Sequence, residues 1–103
     1  MTFEDMVKHR LEVCERTLTA KEQKYADGAN RFHNFDVASR IDGEPPERAL
    51  WGMAKKHLVS VIDLVEHPGD ATEDLLDEKI TDMINYLLLL EGLLRRRMGK
   101  DDE

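Results

Sequence analysis

The chain of 103 residues holds a single cysteine, Cys14, so no disulfide can close within it. No run approaches the roughly 18 uninterrupted apolar residues of a membrane helix, which predicts no transmembrane span. The opening residues MTFEDMVKHR are charged throughout and lack an apolar h-region, so no secretory signal is expected. With one cysteine and no signal, the expected compartment is the cytoplasm. Positive charge is scarce too: 15 Lys and Arg stand against 22 Asp and Glu, a formal charge of -7. Binding to nucleic acid through phosphates draws on clustered cations, so that partner is disfavoured. No P-loop, Gly-rich dinucleotide fingerprint, paired-cysteine zinc motif or internal repeat occurs.

What is present is 41% hydrophobic and 36% charged residues, a balance expected of a helix-rich chain. The length suits one core, so residues 1–98 are read as a single helical domain and 99–103 as a disordered acidic tail. Phe3, Met6, Val7, Cys14, Leu18 and Tyr25 mostly follow helical spacing and predict a first helix to about residue 26. Thr2 and Asp5 form a capping pair at its start, and Gly28 suits its end. Residues 29–44 predict a long loop with a short helical turn near 33–41. Pro45 and Pro46 suit the start of a second helix over about 47–66, burying Leu50, Met53, Ala54, Val61, Ile62 and Val65. Pro68-Gly69 breaks it, and Asp70 with Glu73 is read as a capping box for a third helix over about 72–98. That helix is apolar nearly all round at residues 86–90, with Leu88 and Leu89 outside its main stripe. Self-association through the third helix would cover them. The expected fold is therefore an all-α bundle of three main helices completed by oligomerisation.

The acidic excess is concentrated. Residues 63–82 carry eight acids against Lys79 alone, which accounts for the whole net charge. Helix-start acids explain Glu73, Asp74 and Asp77 through the helix dipole, but Asp82 lies too far in. Glu78 and Asp82 are four apart and Asn85 continues their edge; Asp63 sits at a comparable distance from the Pro68-Gly69 turn on the preceding helix. Carboxylates brought together across such a hairpin suit Mg2+ or Mn2+, against the plainer reading of a solvated flank. On the second helix, Lys56, Ser60 and Asp63 share an edge, with His57 at the border of the apolar face. His57 is read as a core-edge histidine and Cys14 as a small buried hydrophobe. The run Arg95-Arg96-Arg97 is read as ordinary complement to a helix C-terminus.

Between the first two helices, Lys24, Arg31 and His33 offer cations or protonatable groups, and Asn30 and Asn34 offer amides. Tyr25, Phe32 and Phe35 offer stacking faces beside Asp27-Gly28. Aromatics for a base and cations for phosphate would hold a nucleotide; anchoring of the aromatics in the core is the equal alternative.

The succession KYADGANRFHNF, ALWGMAKKHLVSVIDLV and DEKITDMINYLLLL resembles small phage proteins of the nucleotide-modification-associated domain group. These are similar in layout to the MazG-like all-α nucleoside triphosphate pyrophosphohydrolases. The resemblance spans about residues 18–94 and implies a nucleotide-binding helical homo-oligomer using Mg2+, in the host cytoplasm if the chain is phage-encoded. It implies hydrolysis of a (deoxy)nucleoside triphosphate to monophosphate and pyrophosphate. On the same basis Asp63, Glu66, Glu78 and Asp82 look like metal ligands, Lys56 a phosphate contact and Asn85 an orienting donor. Lys24, Tyr25, Asp27, Asn30, Arg31, Asn34 and Phe35 are the matching substrate-binding candidates. Asp63-x-x-Glu66 follows the first acidic pair of that pattern, whereas the second pair, Glu-x-x-Asp, is here Glu78-x-x-x-Asp82. The rival reading is a non-catalytic protein that binds a host protein through its acidic surface. Converging carboxylates belong to the enzyme, and carboxylates spread over an exposed face to the rival.

Overall fold

A computed structural model describes residues 1–22 and 31–99 of the chain, and among these residues apolar positions at helical spacing fold into four helices. Helix α1 (Phe3–Glu22) starts where the reciprocal box was expected: the Asp5 amide donates to Thr2 Oγ1 at 3.1 Å, and the Thr2 amide faces Asp5 Oδ2 at 3.5 Å. The expected continuation to residue 26 and the Gly28 cap lie outside the described residues. Helix α2 (His33–Asp42) is fuller than the short turn anticipated. It ends on Gly43 at φ 67°, a left-handed cap conformation that costs glycine little.

Helix α3 (Pro46–Glu66) begins with proline in its first turn, where no amide hydrogen bond is lost. A 3-10 turn at Pro68–Asp70 reverses the chain. The cap of the next helix is Thr72, whose Oγ1 accepts from the Leu75 amide, so Asp70 is displaced from its expected capping role into the turn. The fourth helix, α4 (73–97), runs through an α turn (Glu73–Leu75), a π segment (Leu76–Ile80) and a regular stretch (Thr81–Arg97). The described residues thus hold the three main helices expected and, between the first and second, the helical segment expected near 33–41 as a complete helix of its own. No strand occurs among the described residues, and no described helix is long and apolar enough to cross a membrane.

Leu50 and Ala54 of α3, Leu93 of α4 and Phe35 of α2 form the buried core. Tyr86, Leu89, Leu90, Met83, Met53 and Phe32 pack around them. Helix α1 lies parallel to α4, since Arg10 meets Thr81 while Cys14, one turn on, meets Asn85. Helix α3 returns antiparallel to α4, placing His57 by Asp82 and Glu47 by Arg97. Gly92 admits α2: a Cβ there would stand 2.7 Å from Phe32 Cζ. Two expected core positions of α3 are instead open, Ile62 at 43% and Val65 at 74% exposure. Ile62 is turned off the face that carries Leu50 and Ala54, whereas Val65 shares that face but stands in the last turn of α3, so burial covers less of the stripe than periodicity suggested. Leu89 faces the core region, while Leu87 and Leu88 remain about half exposed.

Candidate functional site

Arg31 and Asn34, where the chain enters α2, meet Phe35 at the wall of a cavity of about 90 Å3. Leu18 of α1, Met53 of α3 and Tyr86 and Leu89 of α4 complete its lining. Three expected substrate-binding residues are therefore gathered at one opening between all four helices. Lys24, Tyr25, Asp27 and Asn30 lie outside the described residues. The cavity offers a guanidinium, an amide and a phenol within an otherwise apolar wall, the mixture that orients a small planar ligand. Its volume is smaller than the roughly 150 Å3 that takes up benzene, so a ring seated there needs Met53 or another flexible wall residue to yield.

Tyr86 connects this cavity to the carboxylates. Its ring lies 4.7 Å from the His57 ring at 32°, and edge-on to Phe35 at 6.2 Å. On its other side His57 Nδ1 stands 3.4 Å from Asp82 Oδ2, both side chains being largely covered. Burial, and then the Asp82 charge, raise the Tyr86 phenol above its ordinary value, so it stays neutral and keeps its proton to donate. His57 thus sits at the edge of the core, as its position in the sequence suggested, with one ring face on an aromatic and one nitrogen toward an acid. The Asp82–His57–Tyr86 succession was missed in the sequence. Its only signal was the placement of His57 at the border of one apolar face and of Tyr86 in the apolar run of the next helix, which the hairpin folds together.

The other acidic candidates are directed elsewhere. Glu78 projects from the π segment beside Lys79 at 3.6 Å and is exposed. Asp63 lines an open surface groove with Ser60, His67, Asp70 and Lys79, and Glu66 is exposed on the last turn of α3. Lys56 is exposed one residue before His57. Among the described residues no three His, Cys, Asp or Glu side chains gather in a way that would hold a metal ion. The carboxylates expected to share Mg2+ or Mn2+ accordingly do not form a ready cage in the single chain.

Asn85 is buried and ties α4 to α1: Nδ2 donates to the Cys14 carbonyl at 3.3 Å. Its Oδ1 has no hydrogen-bond partner among the described residues. One turn earlier, buried Arg10 donates to Thr81 Oγ1 at 2.8 Å and meets Asp77 at 2.9 Å, where His9 Nε2 also lies at 2.9 Å. These contacts, the His9 hydrogen bond foremost, hold the Asp77 carboxyl below its ordinary range. Arg10 was also missed, although a cation on the apolar stripe of α1 between Val7 and Cys14 was a readable signal. Burial pushes the Cys14 thiol upward, so it remains a protonated, inert hydrophobe as expected.

The arginine run is structural. Arg95 pairs with Glu91 one turn back, Arg96 forks onto Asp36 of α2 and lies over the Phe32 ring, and Arg97 forks onto Glu47 of α3. Arg96 and Arg97 thereby fasten the end of α4 to the starts of two other helices. The chain matches no protein-family model, and neither a curated protein nor a solved structure matches it.

Proposed function

We propose that this chain binds a nucleotide at the cavity between the helices and converts a (deoxy)nucleoside triphosphate to monophosphate and pyrophosphate. The observation that carries the reading is the meeting of Arg31, Asn34 and Phe35 with Tyr86, which leads through His57 to Asp82. Base and sugar would occupy the aromatic side, with the Arg31 guanidinium contacting phosphate oxygens. Asp82 would hold the His57 ring in place through its nitrogen, making His57 a positioning or proton-handling group beside the ligand. The resemblance supplies the choice of reaction and of Mg2+. The described carboxylates do not fit that ion as they stand, so no step is derived through it.

The test is pyrophosphate and phosphate release from each common ribo- and deoxyribonucleoside triphosphate with Mg2+, alongside thermal melts with each nucleotide. At least one triphosphate should be turned over and should stabilise the chain, by about 2.7 kcal/mol at a hundredfold excess over its Kd. Asp82→Ala should lower turnover by about a hundredfold, the scale of a lost acid-base contribution. No turnover and no shift with any nucleotide would refute the proposal.

A second reading has an observation of its own. Asp63, Glu66, Asp70, Glu73, Asp74 and Glu78 are all exposed around the α3–α4 turn, the distribution a docking surface for a basic host protein requires. If nucleotides have no effect, this reading takes precedence.

A further inference from the structure

We propose that the outward face of α3 is a self-complementary interface that joins two copies of this chain, with their α3 helices antiparallel. The face consists of Arg48, Gly52, Lys55, Val59, Ile62 and Glu66, all exposed. Their spacing alternates four and three, which makes one continuous stripe on a helix and reads the same from either end. An antiparallel copy related by a two-fold axis beside residue 57 then sets Arg48 against the partner's Glu66. It sets Gly52 against the partner's Ile62, and Lys55 against the partner's Val59. Every contact occurs twice, as an isologous interface demands.

The chemistry agrees at each pairing. Opposite charges meet at both ends, and the aliphatic stem of Lys55 covers Val59 while its ammonium stays wet. Gly52 is the most telling residue, because glycine inside a helix is destabilising and, among the described residues, nothing beyond its own helix backbone and chain neighbours lies within 4 Å of where its Cβ would be. No described side chain of the same copy fills the notch there, and it admits the branched side chain of a partner's Ile62. Val59 is 56% exposed and Ile62 43%, and neither Arg48, Lys55 nor Glu66 has an ion-pair partner among the described residues. By contrast Glu91 and Arg95, beside the exposed leucines of α4, already neutralise each other. The charge pattern therefore selects α3 rather than the helix that apolar content alone pointed to.

The experiment is sedimentation equilibrium of the full chain. Wild type should show twice the 11.9 kDa chain mass, and Val59→Glu should give the single mass with unchanged helical circular dichroism, since the position is exposed. Arg48→Glu and Glu66→Arg should each raise the dissociation constant about tenfold or more. An equimolar mixture of those two variants should recover the dimer, because each then meets its opposite charge. A wild type that stays monomeric at millimolar concentration overturns the proposal. So does a dimer indifferent to Val59→Glu, or a mixture no tighter than its components.

Discussion

Gly92 lets the ring of Phe32 rest directly on the backbone of α4, with the Arg96 guanidinium 5.2 Å from the ring centre. Adding one methyl group forces the ring, and with it the Arg96–Asp36 fork, to move. Overpacking of this kind costs about 1–3 kcal/mol, and the better helix propensity of alanine returns at most about 1. Gly92→Ala should therefore lower the urea midpoint, and Phe32→Leu in the same chain should recover part of the loss. A Gly92→Ala protein at least as stable as wild type would show that the ring contact is dispensable. Side chains such as Phe32 explain why the aromatic segment before α2 had two equal readings in the sequence. Phe32 anchors a helix junction, and Phe35, buried in the core, also lines the cavity, so anchoring in the core holds for both.

At the scale of elements, α1 is fastened to α4 through charge as well as apolar contact. Arg10 and His9 converge on Asp77, and at the other end of α4 Arg97 forks onto Glu47 of α3. Hydrogen bonds from these partners lower both carboxyls in the folded chain relative to the unfolded one. As pH falls, the unfolded chain takes up these protons first. The stability the pairs contribute is complete above the ordinary carboxylate range and is lost as pH drops through the lowered folded values. Asp77→Asn and Glu47→Gln should each flatten the acid limb of stability against pH, measured by urea midpoints. An acid limb unchanged in both variants would count against the two pairings. Helix positions were legible from periodicity and from Pro45, Pro46, Pro68 and Gly69 because these effects are local. The destinations of Arg10, Asp77 and Asp82 were not, because they depend on which helices lie parallel and which antiparallel. The π segment was equally hidden, since its residues Leu76–Ile80 carry no unusual helix signal.

At the scale of the whole molecule, α4 is the axis against which α1, α2 and α3 are all set, so its register positions everything else. Its π segment holds one residue more per turn than the regular helix around it. Beyond Ile80, each side chain therefore stands where an unbroken helix would have placed its predecessor. Removing Lys79 should let the turn close to a regular α-helix while Thr81–Arg97 keep their faces toward α1 and α3. The shortened chain should melt no lower than wild type by circular dichroism, and should carry Glu78 and Asp82 three apart by count; a chain that fails to fold would mean the swollen turn is indispensable to the alignment of α1. The extra residue thus works as a spacer: it leaves the body of the helix in register while changing how far apart two acids are counted along the chain.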